Sequence, residues 1–176
     1  MDNLSTYEVA WLAGGGRRVA LVAFVILAGD GRLEVAYKRQ RVKLPEGTAA
    51  ADAPVPVEAA ALGLLPESGL AVHEFIDRLA ATSTVASLDA AVRAKGQPRL
   101  RALRRFNPAY RELLAHPGTG LRRIAVLGVP AIENDRLRDI FESPRPDMPK
   151  IDPVAPVRDN TVDGSIGPSP GTWTAG

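Results

Sequence analysis

Cysteine is absent from the chain, which excludes disulfide frameworks, thiol nucleophiles and thiolate metal sites together. Histidine is nearly absent. His73 and His116 lie far apart in sequence, too little material for a His-based metal site or a Ser-His-Asp triad, and no cofactor or metal is expected. Only nine of the 176 residues are aromatic, so the core must be built from Ala, Val and Leu, a composition that favours helix-on-helix packing. The longest apolar run, Val19 to Ala28, has ten residues, whereas a bilayer span needs about 20. The opening MDNLSTYEV lacks the basic and apolar regions of a signal peptide. The expectation is a soluble, cytoplasmic protein without a transmembrane segment.

The chain is long enough for one domain or two very small ones, and its apolar share of 45% is ordinary for a globular protein. Its net charge of +2 hides alternating blocks. Arg17, Arg18, Arg32, Lys38, Arg39, Arg41 and Lys43 form a basic block against only Asp30 and Glu34. The span from Glu46 to Ala90 carries seven acids against Arg78, and Arg93 to Arg123 is again basic, with Glu112 its only acid. From Ile124 onward the balance is acidic. Such blocks can neutralise one another inside a fold, or leave a basic surface for nucleic acid or another polyanion.

The pattern predicts a mostly α (α+β) protein: a winged-helix-like first half with a short β-hairpin (1–45), a second helical half packed on it (55–143), and a disordered tail (144–176). Ser5 and Glu8 form a capping box for a first helix that stops at Gly14-Gly15-Gly16, read as a flexible turn. A helix from about 17 to 28 is apolar nearly all round and so belongs in the core. Arg32 to Ala36 and Arg41 to Leu44 alternate as a hairpin around a basic turn. Pro56 opens a third helix. Further helices are expected over 70–81, 84–94, 107–116 and 131–142, while 121–129 suits a strand or a short helix equally. Seven of the fifteen prolines fall after Ser143, which is why the tail is expected to stay unfolded.

The segment LSTYEVAWLAGGGRRVALVAFVILAGDGRLEV, with PVPVEAAAL after it, resembles an uncharacterised actinobacterial domain family, usually described as membrane proteins with Gly/Cys-rich tails. Tyr7, Glu8, Ala10, Leu12, Ala13, Gly14, Gly15, Arg18, Gly31, Arg32, Leu33, Pro56 and Glu58 carry the resemblance. It spans about residues 4–96. Two features depart from that pattern: Gly16 stands where the family has proline, and the tail is not Gly/Cys-rich. The resemblance implies no activity.

Candidate chemistry is sparse. The three glycines follow a helix rather than a strand, so they suit a turn better than a phosphate loop. His73-Glu74 has no second histidine one turn on. Glu133, Asp135 and Asp139 alternate with Arg136 and Arg138, as on a solvated face with local ion pairs. The arginines at 99, 101, 104 and 105 surround apolar residues and suit snorkelling around a core. No enzyme is expected. The expected role is a non-enzymatic protein-interaction module whose partner is another protein. The alternative is a DNA-associated, winged-helix-like regulator contacting phosphates through Arg17, Arg18, Lys38, Arg39 and Arg41.

Overall fold

The capping box anticipated at Ser5 is present in the computed structural model, which describes residues 4–47, 53–96 and 108–143. The Ser5 hydroxyl accepts from the Glu8 amide, and the Glu8 carboxylate accepts from the Ser5 amide. This reciprocal pair opens α1 (Thr6–Gly14). α2 (Gly16–Gly29) follows after a single junction residue, Gly15, at φ 69°.

The glycine triplet is therefore no flexible turn. Gly14 and Gly16 are helical, and a Cβ on Gly16 would lie 2.8 Å from the Ala80 carbonyl oxygen. Glycine is required here because two helices meet in one residue and pack against a third backbone.

α2 is the central element. Val19, Ala20, Val22, Ala23, Phe24 and Leu27 are wholly inaccessible to solvent, as its all-round apolar character demands. The helices at Thr6–Gly14, Pro56–Gly63, Val72–Ala80, Ser83–Ala94 and Gly120–Leu127 all pack against it. The Phe24 ring lies 6.3 Å from that of Phe75 and 5.7 Å, edge-on, from that of Phe141.

After α2 the chain forms β1 (Glu34–Ala36), a 3-10 turn (Tyr37–Arg39) and β2 (Arg41–Lys43), with Glu34 opposite Lys43 and ion-paired to it at 3.0 Å. Pro56 occupies the first turn of α3 (Pro56–Gly63). A third strand, β3 (Leu70–Ala71), pairs with β2 to complete a sheet of order β1-β2-β3. Helical spacing over 70–81 assigns these residues to the next helix; two residues are too few to display a strand's period of two.

α4 (Val72–Ala80) and α5 (Ser83–Ala94) follow, the latter capped by the Thr82 hydroxyl. α6 (Pro108–Ala115) and α7 (Gly120–Leu127) come next. The ambiguous 121–129 segment is thus helical as far as Leu127. A 3-10 turn (Val129–Ala131) leads to α8 (Asp135–Glu142), capped by Asn134. The architecture is mostly α with a short β-hairpin extended by one strand.

α1 and α2 share a single hydrophobic core with α3, α4 and α7. By its contacts the chain divides into Met1–Pro146 and Asp147–Gly176, and every described residue belongs to the first unit. The tail expected from 144, Trp173, Asn107 and the arginine-rich 99–105 stretch lie outside the described residues. Among the described residues no helix is long and apolar enough to cross a membrane.

Two buried carboxylates tie the helices together. Glu58 of α3 accepts from the Tyr7 hydroxyl at 2.9 Å and from Arg32 Nη1 at 2.9 Å, joining α1, α3 and the approach to β1. Burial, reinforced by the Glu58 hydrogen bond, pushes the Tyr7 hydroxyl far above its ordinary pKa. Glu8 is held by Lys95 Nζ at 2.8 Å. Burial raises its carboxyl, but the hydrogen bonds from Lys95 and Ser5 outweigh that and leave it below the ordinary carboxylate range.

A depressed folded-state pKa gives stability that is present above the unfolded value and is lost as pH falls through the folded one. Glu8→Gln is therefore expected to lower the urea midpoint at neutral pH by about 1 kcal/mol equivalent. The gap to wild type should close as the solution is acidified below the ordinary carboxylate range. A gap that stays constant into strong acid would mean that the Glu8 charge contributes nothing.

Candidate binding cleft between the hairpin turn and the last helix

The five cations considered for polyanion contact have different surroundings in the fold. Arg18, near the start of α2, donates from Nη1 to the Val126 carbonyl at 2.8 Å, with the Ala125 and Ile124 carbonyls at 3.4 and 3.5 Å. The Ile124 carbonyl already accepts from the Gly128 amide, while those of Ala125 and Val126 are left over at the C-terminus of α7, where a cation is favoured by both hydrogen bonding and the helix dipole. Arg17 is exposed and pairs with Asp77 of α4 at 3.2 Å. Arg41 reaches back to the Ser68 and Gly69 carbonyls at 3.2 and 2.9 Å. Lys38 and Arg39, in the 3-10 turn, are exposed and make no ion pair among the described residues.

Two clefts flank α8. The first, about 300 Å³, is lined by Arg17, Arg18, Leu21, His73 and Phe141 among others. His73 stands edge-on to Phe141 at 6.1 Å, so its ring is part of the aromatic packing. The second, about 220 Å³, lies between the hairpin turn and α8, and is lined by Tyr37, Lys38, Gln40, Arg136, Asp139, Ile140 and Ser143. The structure thus places Arg17 and Arg18 at one cleft and Lys38 at the other.

Gln40 is the unusual residue of the second cleft. It ends the 3-10 turn in the left-handed region at φ 47°, the only described non-glycine residue with a positive φ. Its amide donates to the Tyr37 carbonyl at 3.1 Å, and its carbonyl accepts from the Val72 amide at 2.8 Å, so β3 and α4 hold the turn in place. The residue is only 8% exposed, and its Oε1 is buried without a hydrogen-bond donor among the described residues. A buried amide oxygen left unpaired costs about 1–3 kcal/mol, and backbone outliers concentrate at functional sites.

Around Gln40, Lys38 and Arg136 contribute two cations and Asp139 one carboxylate, none ion-paired among the described residues. Tyr37 is 38% exposed. Arg138, by contrast, is engaged by Asp135 and Glu142 and by the Ile132 carbonyl. Sequence reading placed Gln40 in the basic turn but gave no reason to prefer it. The role of α8 in the cleft went unread, because Arg136 and Asp139 resemble any solvated helical pair.

Among the described residues, no group of His, Cys, Asp and Glu could hold a metal ion. Compared with protein-family models, curated proteins and solved structures, the chain finds no match in any of the three.

Proposed function

We propose that this domain is a non-enzymatic protein-interaction module, located in the cytoplasm, that engages its partner at the cleft between the hairpin turn and α8. The observation that carries this reading is a cleft whose exposed charges, Lys38, Arg136 and Asp139, make no ion pair among the described residues.

A DNA-associated regulator is the second reading, and Lys38 and Arg39 at the hairpin turn, which make no ion pair among the described residues, favour it. Against it, Arg17, Arg18 and Arg41 are engaged within the fold, and α2 lies at the centre of the core. A recognition helix must instead present side chains to a groove. The resemblance to the actinobacterial domain is compatible with either reading.

The test is affinity capture from native extract with the full chain and with a Lys38→Glu/Arg136→Glu variant. Wild type is expected to recover one stoichiometric protein partner that the variant loses. Equal recovery by both proteins would place the interaction elsewhere, and recovery by neither would remove the reading.

A further inference from the structure

The Glu8 carboxylate serves two helix ends through a single atom. Its Oε2 accepts from the Ser5 amide at 2.6 Å, which closes the capping box at the start of α1, and from Lys95 Nζ at 2.8 Å. Lys95 stands at the other end of α5 from the Thr82 cap, immediately after its last residue, Ala94. The two donors approach from segments far apart in sequence, so neither helix end is finished without the other.

We infer that Ser5, Glu8 and Lys95 form a clasp, through which the first turn of α1 and the last turn of α5 open together as one local unit. Burial explains why the opening is shared. Glu8 is only 5% exposed, and a carboxylate so placed needs its donors around it. Once one donor leaves, the side chain gains by turning out to water, which breaks the second bond as well. Burial also bounds the unit. On α5 the nearest buried side chain is Val92, and the turn beyond it covers little apolar surface. On α1 the neighbouring Tyr7 hydroxyl is bound to Glu58 of α3, which holds the rest of that helix in place. Segments with few buried apolar contacts open at a lower cost than the whole fold.

The experiment is native-state hydrogen exchange of the full chain by NMR at neutral pH. It reads the Ser5 and Glu8 amides at the start of α1 and the Gly96 amide, which donates to the Arg93 carbonyl at 2.9 Å, at the end of α5. Lys95→Met should speed exchange of the Ser5 amide about fivefold, although the two residues belong to different helices. Lys95→Arg keeps a charged donor and should hold that amide near its wild-type rate. The decisive variant is Ser5→Ala, which breaks the capping box and leaves both members of the ion pair intact. It should speed exchange at Gly96 about threefold, since loss of an N-cap reaches that size.

Thr82→Ala removes the cap at the opposite end of α5, where the hydroxyl accepts from the Val85 amide at 3.3 Å. It should speed exchange at Val85 and leave Ser5 and Gly96 unchanged. Dilute urea should accelerate Ser5 and Gly96 only weakly, because a local opening exposes little surface. Effects of Ser5→Ala confined to α1, with those of Lys95→Met confined to α5, would overturn the inference, since the two ends would then open independently. A response of Ser5 and Gly96 to Thr82→Ala would overturn it in favour of α5 undocking as a whole. A urea dependence as steep as that of the α2 amides would do so too, by showing that both ends open only in global unfolding.

Discussion

Glu58→Ala is expected to cost about 3–5 kcal/mol, the usual penalty for breaking a buried ion pair by removing one partner. Glu58 is 7% exposed and accepts from two residues distant in sequence, Tyr7 and Arg32. Without it the Arg32 guanidinium keeps its charge in a partly buried site, where its Nη2 already has no partner. The Tyr7 hydroxyl is left unpaired as well. Most of the penalty comes from these stranded groups rather than from the lost attraction. Two controls follow from that account. Glu58→Gln retains an acceptor and should lose less than Glu58→Ala. The double change Arg32→Met/Glu58→Leu removes the charges together and should recover much of the loss, because apolar replacements of a buried pair are often neutral. Urea midpoints at neutral pH measure all three. A Glu58→Ala loss below about 1 kcal/mol, the range of solvated surface pairs, would show that water reaches the network.

The same network explains which parts of this fold can be read from sequence. Ser5 and Glu8 were legible as a capping box because both partners lie within one helical turn. Pro56 marked the start of α3 for the same local reason. The apolar run of α2 pointed to the core, since a helix without a polar face has nowhere else to go. Arg18 was legible only as a charge. Its acceptor, the Val126 carbonyl, is 108 residues away, and nothing in either segment announces the other. The residues carrying the actinobacterial resemblance include Tyr7, Glu8, Arg18, Arg32 and Glu58, all of which hold helices together here. Lys38, Gln40, Arg136 and Asp139, which line the cleft beside α8, are not among those residues. Gln40 is the extreme case. Its significance comes from a positive φ and a buried atom, and neither property is written in a residue type.

Gly128→Ala is the second change expected to act strongly, at about 3–5 kcal/mol, through two additive causes. Gly128 ends α7 at φ 82° and ψ −142°, a region essentially reserved for glycine, where a side chain costs about 1–3 kcal/mol. A Cβ there would also lie 2.4 Å from the guanidinium carbon of Arg18. That contact is not one the arginine can swing away from freely, because its Nη1 is bound to the α7 carbonyls. Moving it exposes orphan acceptors at the helix end and forfeits charge-assisted hydrogen bonds, each about 1.5–3 kcal/mol. α7 packs directly on α1, so loosening its C-terminus should disturb the core rather than a surface turn. A double-mutant cycle separates the causes. In an Arg18→Ala background the clash and the hydrogen bonds are already gone, and Gly128→Ala should then cost only the backbone share. Equal costs in the two backgrounds would mean that Arg18 does not depend on the glycine, and its assignment as the cap of α7 would fail. A smaller cost in the Arg18→Ala background would establish that this arginine, read from sequence as a phosphate contact, serves to join the first helices of the chain to one of the last.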